Sequence, residues 1–171
     1  MCGRARGRRA AHPRGGVAVF GGFSEEGGER ALTPGMVFSR TMTVAEEHAA
    51  RHLAPQGVKL FSTPEMVRFM ERCVVDGLQP YLEAGQSAVG IHVDIRHLAP
   101  TPVGVEVTVT CTLVAIDRRR FSFAFEVRDA VEKIGEGRYE SFVVERSRQQ
   151  HRLAAKLGLR VAPLPNSTGG A

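Results

Sequence analysis

No apolar run in the 171 residues approaches the ~20 that a bilayer-spanning helix needs, so no membrane-spanning segment and no membrane partner are expected. Cysteine is scarce. Cys2, Cys73 and Cys111 are too few and too scattered for a disulfide framework or a zinc cage, and a reducing, cytoplasmic setting fits them. Phosphate-cradling loops are missing as well: Gly135-Glu-Gly137 lacks the third glycine and the strand–helix context of a dinucleotide loop. Ser87 lies in Gly85-Gln-Ser-Ala-Val-Gly90, which is not a nucleophile elbow. Glu47-His48 and His52 set two histidines four residues apart. The order is not His-Glu-x-x-His and no third ligand is obvious, so no metal is expected.

What remains is an ordinary globular balance, 43% hydrophobic and 24% charged, in a chain long enough for one domain with a sizeable core. The net charge of +5 is uneven. Residues 1–35 carry six arginines against Glu25, Glu26 and Glu29, and they lack a sustained hydrophobic period. They read as a disordered, solvated extension, and Val17–Phe20 is too short for the apolar region of a signal peptide. No nucleic-acid partner is expected from so local a basic bias. Residues 158–171, ending in Ser-Thr-Gly-Gly-Ala, read as a loose tail, which leaves residues 36–157 as the domain.

Inside the domain, Val37–Val44 reads as a first strand and Glu46–His52 as a short helix or ordered loop. Ser62-Thr-Pro-Glu65 starts a helix, with either Ser62 or Thr63 as the cap, and the helix should run to about Leu78. The period then changes to two. Val89, Ile91, Val93 and Ile95 alternate with polar residues, as do Val103 to Leu113 and Phe121 to Val127. Residues 134–144 continue the pattern with a phase slip near Phe142, suggesting a bulge, and Arg146–Leu157 is a weaker terminal helix. Long alternating strands with short turns imply an antiparallel sheet with one buried face, covered by the central helix: an α+β fold.

On a helical wheel Glu65, Arg68, Arg72, Asp76 and Gln79 share the solvent side, while Met66, Met70, Cys73, Val74 and Gly77 lie opposite. Glu71 belongs to neither group. It is flanked by Val67, Val75 and Leu78, a setting that suits a general base, although a boundary glutamate paired with a basic side chain would look the same. His97 shares the parity of Ile91, Val93 and Ile95 at a strand end, placing an imidazole on the core side either as a catalyst or as a hydrogen-bonded core residue. Thr63 stands at a helix start, where N–H groups favour a developing oxyanion; on spacing alone it is an N-cap. Arg118-Arg-Arg120, with Arg119 at its centre, is a basic hairpin tip, either simply solvated or meeting a phosphate. Cys73 and Cys111 read as inert core thiols.

Three blocks, Leu60-Phe-Ser-Thr-Pro-Glu-Met-Val-Arg-Phe-Met-Glu71, Gly90-Ile-His-Val-Asp-Ile-Arg-His-Leu-Ala-Pro-Thr-Pro102 and Ile134-Gly-Glu-Gly-Arg-Tyr-Glu140, occur in an order and at spacings that resemble the hotdog-fold thioesterases of the fluoroacetyl-CoA thioesterase-like family. The resemblance covers about residues 36–150. It implies a hotdog fold, a long helix wrapped by an antiparallel sheet, in a homodimer or higher homo-oligomer. It implies acyl-CoA thioester hydrolysis with Thr63, Glu71 and His97 as catalytic residues and Gly90 beside the acyl pocket; Arg138 and Arg119 are the candidate substrate contacts beside them. No metal or redox cofactor is implied, CoA entering only as part of the substrate. A non-catalytic acyl-CoA-binding hotdog module with a regulatory role is the alternative. Two departures stand out: residues 45–59 contain no aromatic residue where the fluoroacetyl-specific member has lid phenylalanines, and Gly137-Arg-Tyr-Glu-Ser141 stands where the family usually reads Gly-x-His-Glu-Arg.

Overall fold

The structure, a computed structural model, describes residues 18–20 and 31–159. Six antiparallel strands form one sheet: β1 (Ala18–Phe20), β2 (Val37–Thr43), β3 (Gln86–His97), β4 (Glu106–Asp117), β5 (Arg120–Arg128) and β6 (Lys133–Glu145). Their order across the sheet is β1-β2-β4-β5-β6-β3. The helix α1 (Thr63–Leu78) packs on one face, and α2 (Arg146–Lys156) follows β6. α1 begins where the sequence places it. Ser62 is the cap, its hydroxyl accepting from the Glu65 N–H, and Pro64 occupies the first turn. Met66, Phe69, Met70, Cys73, Val74, Gly77 and Leu78 are buried against Phe38, Val107, Val109, Cys111, Leu113, Phe123 and Phe125 of the sheet. Each large apolar side chain so buried contributes about 1.5–3 kcal/mol. Gly77 is required there, because a Cβ would stand 2.5 Å from the Phe38 ring.

The ordered body starts earlier than residue 36. The backbone of Ala18–Phe20 pairs with Val37–Ser39, Leu32 packs against the core, and the Gly35 N–H donates to the Leu113 carbonyl. The expectation of a wholly disordered 1–35 is corrected to that extent. The short strand satisfies the otherwise open edge of β2, a backbone demand that composition does not register. Residues 1–17, 21–30 and 160–171, which include Cys2 and most of the expected tails, lie outside the described residues.

The larger correction concerns β3. A single alternation through Val89, Ile91, Val93 and Ile95 would put all four on the core face. Instead the register with β6 shifts between Gly90 and His92, so Ile91 is an inserted bulge residue. Ala88 and Gly90 pair with Val143 and Ser141 before the bulge; Val93, Ile95 and His97 pair with Tyr139, Gly137 and Gly135 after it. Residues paired across strands share a face, so the inward set is Ala88, Gly90, Val93, Ile95 and His97. The slip expected near Phe142 of β6 thus lies on the strand opposite, while Tyr139, Ser141 and Val143 stay in phase and buried. β3 is also the sheet's outer strand, and Val89, Ile91 and Val93 on it are 38%, 47% and 42% exposed.

Candidate active site

The segment before α1 is tied down at both ends. The Phe61 N–H donates to the Thr101 carbonyl, Ser62 N–H to the His48 carbonyl, and Ala50 N–H to the Leu60 carbonyl. Glu46–His48 and Arg51–Gln56 form 3₁₀ turns, a tighter version of the short helix or loop expected there. Thr63 follows as the first helical residue, and His97, facing inward at the end of β3, meets it: Thr63 Oγ1 and His97 Nδ1 are 2.8 Å apart. Because Ser62 carries the capping bond, the Thr63 hydroxyl is spared for the imidazole. The Phe61 ring meets the imidazole edge-on, with centroids 6.4 Å apart. Nε2 of His97 is buried without a partner among the described residues. Burial holds the imidazole below its ordinary value of 6.5, partly offset by a hydrogen bond with the Ala99 backbone, so the neutral ring is favoured at neutral pH. Ala49, Ala50, Leu53, Phe61, Thr63 and His97 contribute to the wall of a cavity of about 840 Å³.

Glu71 stands eight residues further along α1, about 12 Å by helical rise, and does not line that cavity. It is half-buried, and its Oε1 accepts from the Tyr139 hydroxyl at 3.0 Å. Its partner is therefore a phenol, not a basic side chain. Gly90 sits over this pair: a Cβ there would lie 2.6 Å from the Tyr139 hydroxyl and 2.9 Å from Glu71 Oε1. One protomer thus holds two constellations on the same side of the sheet, Thr63 with His97 and Glu71 with Gly90 and Tyr139.

The arginines fall elsewhere. Arg138 alternates with the inward Gly137 and Tyr139 and so lies on the outer face, opposite Asp94 and Ala124. Arg119, at the β4–β5 turn, donates to Glu145 Oε1 at 3.0 Å. The structure brings neither to the cavity. His48, set aside above as half of an incomplete metal pair, accepts the Ala45 N–H at Nδ1. Among the described residues no group of three or more His, Cys, Asp or Glu side chains is arranged as a metal site. Tyr139 is the site residue that motif reading passed over. The signal was present in its shared parity with Gly135 and Gly137 and in its standing where the family pattern has histidine.

One long helix across an antiparallel sheet, with a threonine–histidine pair at the helix start and a carboxylate two turns on, defines a hotdog-fold protein of thioesterase type. Comparison with known proteins agrees. Residues 43–147 match the fluoroacetyl-CoA-specific thioesterase family, and the chain belongs to that family. It is 34% identical over 113 residues to the fluoroacetyl-CoA thioesterase of Streptantibioticus cattleyicolor, covering 63% of this chain and 81% of the relative. A solved structure of the fluoroacetyl-CoA thioesterase FlK superposes with a TM-score of 0.69 at 31% identity, over 74% of this chain and 98% of that one. A thioesterase-superfamily protein of Thermus thermophilus gives 0.68 at 25% identity, over 75% and 98%.

Proposed function

We propose that this protein is an acyl-CoA thioesterase that hydrolyses a short or medium acyl thioester to the free acid and CoA. The observation that carries the reading is the hydrogen-bonded Thr63–His97 pair on the wall of an ample cavity at the start of α1, with Glu71 on the same helix. In the reaction the Thr63 hydroxyl and the helix N-terminus stabilise charge on the thioester oxygen. Glu71 supplies the carboxylate, either taking a proton from the attacking water or adding to the carbonyl to give an anhydride that water opens. The carbon–sulfur bond breaks, and the thiolate takes up the proton that the attacking water gave to Glu71, while the neutral His97 polarises the site through its hydrogen bond with Thr63.

The same reading includes a homodimer. Among the described residues β3 is paired on one edge only, with β6, and it carries exposed Val89, Ile91 and Val93, the kind of edge that a second copy covers. In such a dimer, antiparallel pairing of the two β3 strands would bring the Gly90 end of one copy toward the His97 end of the other, so that the site is assembled from both constellations. A cytoplasmic location suits the free buried thiols Cys73 and Cys111.

The test is turnover of a panel of acyl-CoA thioesters followed by free-thiol release, with light scattering on the same sample. Multiple-turnover thiol release and a dimer mass are expected. Tight binding without release would replace the enzyme by a binding module, and a monomer at micromolar concentration would remove the dimer.

A further inference from the structure

We propose that Tyr139 is a positioning residue for this reaction, its hydroxyl holding Glu71 Oε1 so that the other carboxylate oxygen is presented to water or thioester. The inference rests on the thioesterase reading of the site. Tyr139 lies on β6 between Phe123 of β5 and Val93 of β3, is 3% exposed, and carries a phenol that burial alone would leave unsatisfied. Its partner is Glu71, at 3.0 Å.

Three features make the contact a device for orientation. The tyrosine ring is fixed in the sheet by two torsions, whereas Glu71 has three and a half-buried position from which to wander. The phenol is held protonated: burial first, and then the Glu71 charge, push it well above the ordinary tyrosine range, so it remains a donor at any working pH. The third feature is the opening above the pair. Gly90 has no side chain, and the oxygens of the bond occupy the space a Cβ would need. The β3 bulge is what turns Gly90 inward there.

The experiment is a double-mutant cycle on the full chain, with Tyr139→Phe, Glu71→Gln and the pair assayed on the best acyl-CoA substrate and thermal unfolding recorded for each. Phe keeps the ring and its volume. Tyr139→Phe is expected to lower kcat about 10- to 100-fold with KM little changed, the scale of a mispositioned catalytic group. In the Glu71→Gln background the same substitution is expected to lower kcat no further. A merely structural tyrosine would reduce activity in both backgrounds, and that result overturns the proposal, as does a wild-type kcat for Tyr139→Phe. Failure of the thioesterase reading looks different: the unsubstituted protein would then release no thiol from any substrate.

Discussion

Gly90→Ala places one methyl group where the structure has two oxygens. The new Cβ would stand 2.6 Å from the Tyr139 hydroxyl and 2.9 Å from Glu71 Oε1. Carbon–oxygen contacts settle near 3.3 Å, so the hydroxyl must retreat by ~0.7 Å and the carboxylate by ~0.4 Å. The tyrosine ring is wedged in the core, whereas the carboxylate ends a flexible stem, so Glu71 gives way first. Displacements of this size at a reacting group lower rate up to ~100-fold, and the expected fall in kcat is about 10- to 100-fold. Stability should change far less. β3 is an edge strand, Gly90 is exposed, and overpacking at its mild end costs about 1 kcal/mol, or ~2–4 °C in Tm. The assay is thiol release under saturating acyl-CoA, with circular dichroism to follow unfolding. A Gly90→Ala protein with wild-type kcat would refute the argued packing of Gly90, Tyr139 and Glu71. A large loss of Tm would show that the methyl group is accommodated by the sheet and not by the carboxylate.

Thr63→Val removes the bond to His97 but leaves the Ser62 cap, so Tm should move little while kcat falls, by less than for Glu71→Gln because helix N–H donors still face the carbonyl. His97 is held below 6.5 by burial, so the unfolded chain binds a proton more readily as pH falls through that value. The native protein should therefore lose stability relative to His97→Gln as pH drops below about 6.5, and show no such difference above pH 8; denaturant unfolding at several pH values checks the sign. The cavity wall contributed by residues 49–53 is built from Ala49, Ala50, Arg51, His52 and Leu53, without an aromatic lid. Discrimination between fluoroacetyl- and acetyl-CoA should accordingly be weak, and a large kcat/KM ratio favouring the fluorinated substrate would count against the lid argument.

Much of the fold was legible because period and capping are local properties. Ser62-Thr-Pro-Glu65 marks the start of α1 to within one residue, the structure choosing Ser62 over Thr63 as the cap, and the alternations at Val107–Leu113 and Phe121–Val127 give the buried face of β4 and β5 directly. The inserted Ile91 is hidden in β3 because Val-Gly-Ile-His-Val-Asp-Ile alternates without a break; only pairing with β6 reveals it. The N-terminal strand was invisible for a similar reason, since three residues acquire strand structure from the open edge of β2 and not from their own composition. At the site, Thr63 and His97 were identified as separate candidates, and their 2.8 Å contact required the tertiary structure. Glu71 stands out on the wheel only as a boundary carboxylate, a base or a paired glutamate alike, and its partner lies 68 residues away on β6, beyond any helical argument. Arg119 pairs with Glu145, a cross-strand contact that sequence proximity does not suggest.

The central claim, that a carboxylate on α1 drives thioester hydrolysis, is tested most directly by kcat of Glu71→Gln against wild type on the best acyl-CoA substrate, under conditions where both are folded. Gln keeps the size of the side chain and removes the base, so kcat should fall by about 10²–10⁴ with substrate binding largely kept. A near-wild-type kcat would contradict the account and leave Glu71 a boundary glutamate that accepts a bond from Tyr139.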